Sequence, residues 1–401
     1  MSRIVSILCA NLKGNLGDFA IAEAIAINAD RILGSCKIQL YYHANKAVDE
    51  ARMKVMLEET TANFDSIQAA PYFRRPSWLR TLCRMGIAKA YYTKRHNQAV
   101  SKVARQIQVD RAFIDRVADS DLIIFAGGAQ WGRGDLNLNM FAQLQAVSGG
   151  KCPVRAFPFS MSNATVSCNG KAGLQALMSQ LDAPIFVRDG ISHRCLRSIG
   201  VDTDLVSDCV FSLSGAFDSK WENDSPEAGE SRRVYLSLTQ SGDTDAQSVA
   251  ALVRSLKEAS LIPVLFSTCE IEDRSFYESV QACVSVDAIY PLSWKQAVGK
   301  LSTCRFVITN RLHCLIFSAL SGTPVVPVTN RAKSKAYVKD ADLPYSLEGV
   351  NSIEATLLEA INQNLKVISQ RQIAYATACG DIMNKRLPEL FLPRLDSAEV
   401  T

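Results

Sequence analysis

The sequence has no CxxC pair, only four histidines, no strong excess of either charge and no apolar run near the ~20 residues that a membrane helix needs. Each absence removes a class of protein. Twelve cysteines are present, but they stand singly from Cys9 to Cys379, mostly in apolar runs such as SILCA and ACVSV, and they read as reduced core residues of a cytoplasmic protein. His43, His96 and His193 lack carboxylate or cysteine partners at ligand spacing, so no metal site is expected. GxSxG, Cys/His, GxGxxG and GK[ST] signatures are all missing, which leaves hydrolases and the common nucleotide loops without support. A net charge of +4 is too weak to argue for nucleic acid.

What remains is an ordinary globular composition, 48% hydrophobic and 21% charged, in a chain of 401 residues, longer than one core usually organises. Strand-like apolar runs alternate with helical periodicity along the whole length. Strands are expected at 3–9, 37–42, 121–126, 154–159, 184–188 and 204–206, and helices at about 46–58, 98–117, 170–181 and 191–199, with Asp18 capping a first helix. Between 215 and 233 periodicity gives way to small and acidic residues, and the alternation resumes from strand 234–238 to strand 324–328. A last helix is expected at about 353–378, before RLPELFLPRL, which is suited to cross back onto the first domain. The chain therefore reads as α/β, two Rossmann-like doubly wound domains facing a cleft: residues 1–215, a linker at 216–232, residues 233–386 and a tail at 387–401.

In open α/β sheets ligands sit beyond the carboxyl ends of strands, so the strand-end loops carry the candidate residues. After the first strand, Gly14, Asn15, Gly17 and Asp18 open a helix whose backbone N–H groups could face an anion or a sugar; a tight turn is the alternative. Gly127 and Gly128 follow the strand DLIIFA and allow close backbone approach, or simply reverse the chain. Arg188 ends another strand and Asp208 precedes VFSL, to bind or to pair structurally. The strongest cluster is RFVITNRLHCLIFSALSG. Asn310, Arg311 and His313 lie there at a switch from a buried strand to an apolar helix, a costly place for polar groups that bind nothing. A guanidinium grips carboxylate or phosphate bidentately, and a histidine titrating near neutrality moves protons beside it. Lys333 and Lys335, near Arg331, add positive charge after the next strand.

GNLGDFAI at 14–21, DLIIFAGG at 121–128, VRDGIS at 187–192, SDCVFSL at 207–213 and NRLHCLIFSALSGTPVVPV followed by lysines resemble the polysaccharide pyruvyltransferase family. FPFSMS at 157–162 looks like a drifted form of that family's Gly-rich loop. The resemblance implies a fold like the GT-B glycosyltransferases, no cofactor, phosphoenolpyruvate as co-substrate, and an acceptor that is a sugar of a surface polysaccharide or its lipid-linked precursor. It adds Leu312 to the binding set and implies His313 as general acid, Arg311 with Lys333 or Lys335 as the anion clamp, and Asp18 or Asp208 as base. The rival is a nucleotide-sugar glycosyltransferase of the same architecture. Such an enzyme wants a late carboxylate where this chain has the basic TNRAKSK. An inactive scaffold is a third alternative. The basic, aromatic stretch 74–95 is suited either to peripheral contact with the inner membrane or to plain solvent exposure; homo-oligomerisation stays open.

Overall fold

A computed structural model describes residues 2–9, 15–43, 50–70, 73–74, 108–109, 111–127, 152–161, 171–179, 181, 183–216, 231–242, 244–350 and 353–392. Gly14, Gly128, most of the basic stretch 74–95, most of the 216–232 linker (217–230) and the end of the tail lie outside these residues.

The first half runs β1 (Arg3–Cys9), α1 (Leu16–Leu33), β2 (Cys36–His43), α2 (Glu50–Glu59), β3 (Phe64–Ala70), β4 (Phe73–Arg74), β5 (Gln108–Val109), α3 (Arg111–Ala118), β6 (Leu122–Phe125), β7 (Val154–Ala156), α4 (Lys171–Met178), β8 (Phe186–Val187), α5 (Gly190–Arg197), β9 (Asp204–Leu205) and a 3₁₀ helix, Cys209–Ala216. The second half runs β10 (Arg233–Ser237), α6 (Ala246–Glu258), β11 (Ile262–Phe266), α7 (Glu270–Gln281), β12 (Asp287–Ile289), α8 (Trp294–Leu301), β13 (Phe306–Thr309), α9 (Leu312–Leu320), β14 (Val325–Pro327), α10 (Ala332–Asp340), α11 (Ala355–Gln363), α12 (Leu365–Arg386) and α13 (Pro388–Phe391).

Each half builds a five-stranded parallel sheet of the same topology, β3-β2-β1-β6-β7 and β12-β11-β10-β13-β14. LIIF of β6 and FVIT of β13 are short, apolar without alternation and buried at every residue, as strands covered on both faces must be. In each sheet the chain order reverses beside the first strand, which opens a crevice at the carboxyl ends of β1 and β6 and of β10 and β13.

Several local expectations change. Asn15, not Asp18, caps α1: its side chain accepts from Gly17 N at 3.1 Å, and Asp18 lies inside the first turn. Residues 108–109, expected within a helix, pair as a strand with Phe73–Arg74. Of the basic residues after β14, Arg331 stands at the N-cap of α10 and Lys333 and Lys335 lie in its first turns. The long final helix is two helices, broken at Asn364, whose Nδ2 donates to Ala360 O at 2.8 Å and to Tyr345 Oη at 3.0 Å.

Among the described residues, the halves are tied together at several places. Leu16 N donates to Thr268 O at 3.0 Å, next to a bridge between Asn15 and Cys269. Glu23 on α1, fully buried, accepts from Trp294 Nε1 at 2.7 Å and pairs with Lys295 Nζ at 3.0 Å. Finally, α12 and α13 return across the first half: buried Arg155 donates to the carbonyls of Leu390 and Leu392 at 2.7 and 2.8 Å, and the rings of Phe157 and Phe391 meet edge to face at 5.2 Å.

Candidate active site

The end of β13 is fixed by its own polar residues. Thr309 Oγ1 donates to Ser237 O at 2.6 Å and accepts from Arg311 N at 3.0 Å. Asn310 clasps the neighbouring strand end, accepting from Thr239 N at 2.9 Å and donating to Thr239 O at 3.1 Å. The amide of Asn310 is thus used on backbone. These bonds make Arg311 the first residue outside α9 and set His313 in its first turn, while Leu312 packs on the core.

Arg311 turns toward α7 of its own domain. It is 13% exposed, ion-paired with fully buried Asp273, and bonded to Glu272 Oε2 at 2.8 Å; Ser267 Oγ donates to the other oxygen of Asp273 at 2.8 Å. Only Nε of the guanidinium is buried without a hydrogen bond.

His313 turns the other way, onto the first turn of α1. A Cβ on Gly17 would overlap Cγ, Nδ1 and Cε1 of its ring, so glycine is what lets the imidazole seat there. Nε2 is buried without a hydrogen bond. The expectation of a histidine titrating near neutrality does not hold: burial pushes the imidazole down to about 4, Asp208 opposing and Arg188, Lys333 and Arg311 adding to the shift.

Asp18 stands one residue beyond Gly17 on the same turn. Burial raises its carboxyl to about 7; Arg188 and Asn15 oppose this, while Glu272 and Asp208 reinforce it. Across from it, Arg188 and Asp208 form an ion pair with both side chains at most 5% exposed. Burial works against the charge on Asp208, yet Arg188, His313 and a hydrogen bond from Val210 N at 3.1 Å hold its carboxyl below the usual value. The two candidate bases therefore differ: Asp208 is a locked anion, and Asp18 titrates near neutral pH.

Lys333, in the first turn of α10, reaches over the cleft to the first domain. Its Nζ donates to Ser160 Oγ at 3.1 Å, and Arg188 Nε donates to the same oxygen at 2.9 Å. Burial and Arg188 push the amine down to about 8, with Asp189 and Asp208 resisting. Asp189 caps α5 by accepting from Ser192 N at 2.8 Å. Lys335 is exposed and stays out of this cluster. Gly127 is used on the chain itself, since a Cβ there would collide with Pro158 O.

The structure therefore gathers Gly17, Asp18, Arg188, Asp208, His313 and Lys333, with Arg311 beside them. Ser160, Glu272 and Asp273 were missed. Ser160 lies in FPFSMS, the segment whose drift from the resembled pattern was its only signal. The acidic pair opens a helix in a way that any helix start would.

The model of the polysaccharide pyruvyl transferase family matches residues 15–331, which contains all of these side chains except Lys333, two residues beyond its end. The chain belongs to that family. Membership makes it an enzyme, a pyruvyl transferase of polysaccharide chemistry. Compared with curated proteins, the sequence finds no match. Among solved structures, it resembles a protein from Listeria monocytogenes assigned as a UDP-N-acetylglucosamine 2-epimerase (TM-score 0.61, 11% identity, 96% of this chain and 95% of that one). It also resembles the UDP-GlcNAc 2-epimerase of Neisseria meningitidis bound to UDP-GlcNAc (TM-score 0.55, 11% identity, 96% and 99%). At that identity the likeness establishes the fold, two Rossmann-like domains facing a cleft in the GT-B manner. Among the described residues, no helix is long and apolar enough to cross a membrane.

Proposed function

We propose that this pyruvyl transferase takes phosphoenolpyruvate as donor and joins its pyruvyl group through a ketal to two hydroxyls of a sugar, in a surface polysaccharide or its lipid-linked precursor, releasing phosphate in the cytoplasm. The observation that carries this reading is the convergence, on one side of both sheets, of three cationic side chains and a buried histidine with a carboxyl that titrates near 7. A small donor bearing both phosphate and carboxylate matches such a site. Its anionic groups would lie against Lys333, Arg188 and the start of α9, where backbone N–H groups and the helix dipole favour negative charge. Asp18 is the base suited to a sugar hydroxyl, because it is ionised in part at neutral pH and Asp208 is committed to Arg188.

The test is thermal unfolding of the wild type with phosphoenolpyruvate, with UDP and with a UDP-sugar, next to an assay of phosphate release on adding candidate acceptors. A ligand at 100 times its Kd adds about 2.7 kcal/mol of stability. Stabilisation by phosphoenolpyruvate alone is expected. Stabilisation by nucleotide alone would transfer the protein to the glycosyltransferase reading.

A further inference from the structure

Forming a ketal from an enol ether requires a proton on the methylene carbon, and the donor of that proton must hold it at neutral pH and stand free to give it up. Arg188 and Arg311 are ion-paired and do not release protons in the physiological range. His313 is buried in its neutral form with Nε2 sealed off. Lys333 differs from all three. Its Nζ has one hydrogen bond, to Ser160 Oγ at 3.1 Å, and no ion-pair partner among the described residues, so two of its three N–H groups are uncommitted inside the charged cluster.

We propose that Lys333 is the acid that protonates the methylene carbon of the donor, and that Ser160 is the positioning residue that aims its ammonium. The inference rests on the phosphoenolpyruvate reading above. In the step, the enol π pair takes a proton from Nζ to form the new C–H bond, Nζ becomes a neutral amine, and C2 becomes electron-poor. A lone pair of the first sugar hydroxyl closes on C2 as its proton passes to the Asp18 carboxylate. The second hydroxyl adds as phosphate leaves with the C2–O pair and takes up that hydroxyl's proton; Asp18 then releases its proton to solvent and Lys333 regains one from solvent, which restores both groups. The groups facing Nζ fit this use. Arg188 and Asp189 approach from the end of β8, Asp208 from beyond β9, His313 from α9 and Arg331 from the residue before its own helix; burial, Arg188 and Arg331 outweigh Asp189 and Asp208 and bring the amine from 10.5 to about 8, protonated at pH 7 yet a far better acid than a surface lysine.

Lys333→Arg separates proton donation from anion binding, since the guanidinium keeps the charge and withholds the proton. With a variant that melts like the wild type, the expected result is a retained phosphoenolpyruvate-induced rise in Tm and a loss of kcat of about 10²–10⁴-fold. Turnover within about tenfold of wild type would overturn the proposal. A second readout does not depend on that variant: the kcat profile of the wild type should fall above about pH 8, and Ser160→Ala, by removing an acceptor that favours the ammonium, should move this limb to lower pH. An unmoved limb would also count against Lys333. If the wild type gains no stability from phosphoenolpyruvate, the donor reading itself falls, and this inference with it.

Discussion

The imidazole of His313, from the second domain, rests on the bare α-carbon of Gly17 in the first, so the two most characteristic motifs of the sequence meet as one surface. Neither the ring nor the α-carbon has room to spare. Gly17→Ala must displace either the ring or the start of α1, at about 1–3 kcal/mol of stability, and activity should fall well beyond what that loss explains. Unfolding by urea and steady-state kinetics on the same preparation check this; a stable, fully active variant would show that the contact is dispensable.

Arg311 is held by Asp273 and Glu272, which changes what its removal means. Arg311→Ala leaves Asp273 charged and fully buried, a loss on the order of 3–5 kcal/mol. The double variant Arg311→Ala with Asp273→Asn should recover part of it. Additive losses, within about 0.5 kcal/mol in a double-mutant cycle, would show that the pair is not coupled.

Asp18 gives stability a pH dependence opposite in sign to that of a paired carboxylate. With its folded pKa raised from 3.8 to about 7, the native state binds more protons than the unfolded state between those values, so its contribution becomes less favourable as pH rises and is fully unfavourable above 7. Asp18→Asn should therefore gain stability over the wild type on going from pH 5 to pH 7.5, on the order of a few kcal/mol, while losing most turnover. Urea midpoints at the two pH values measure it, and a pH-independent difference would rule the account out.

Lys295 neutralises Glu23 at the interface between the halves, its side chain 23% exposed against 1% for Glu23. Lys295→Met leaves the carboxylate with its bonds from Trp294 Nε1 and from Thr61 N and Oγ1, and should cost about 1–3 kcal/mol. Differential scanning calorimetry would register it as a lower Tm. An unchanged Tm would mean that water replaces the lysine without loss.

Much of this architecture is written locally. Runs such as LIIF and FVIT are buried on both faces, and such runs are readable without knowing their neighbours. The RLH element is readable for the same reason: polar groups at the mouth of an apolar helix have no local cause. The strand Phe64–Ala70 went unread because FDSIQAA has neither an apolar run nor β-branched enrichment beyond one isoleucine; its pairing with β2 defines it. The pairings inside the site were also out of reach. Arg188, Asp208 and Lys333 could each be named, but Ser160 becomes the shared acceptor of two cations only when β7 and α10 are brought together across 173 residues of chain. Arg311 looked free to grip an anion because its partners are 38 and 39 residues upstream on another helix.

The return of α13 to Arg155 and Phe157 sets an order on how this molecule is made. The core around Phe157 includes Phe391, so a nascent chain cannot complete the first domain when its own sheet has emerged; it must wait until Phe391 has been synthesised. At about 5–20 residues per second, the stretch between Phe157 and Phe391 takes roughly 10–50 s to translate. Throughout that interval the surface that α13 will cover stands open to chaperones and proteases. The docking of α13 is therefore a late step, and it adds its contact to those of Leu16 and Glu23 in holding the halves that carry Gly17 and His313 against each other.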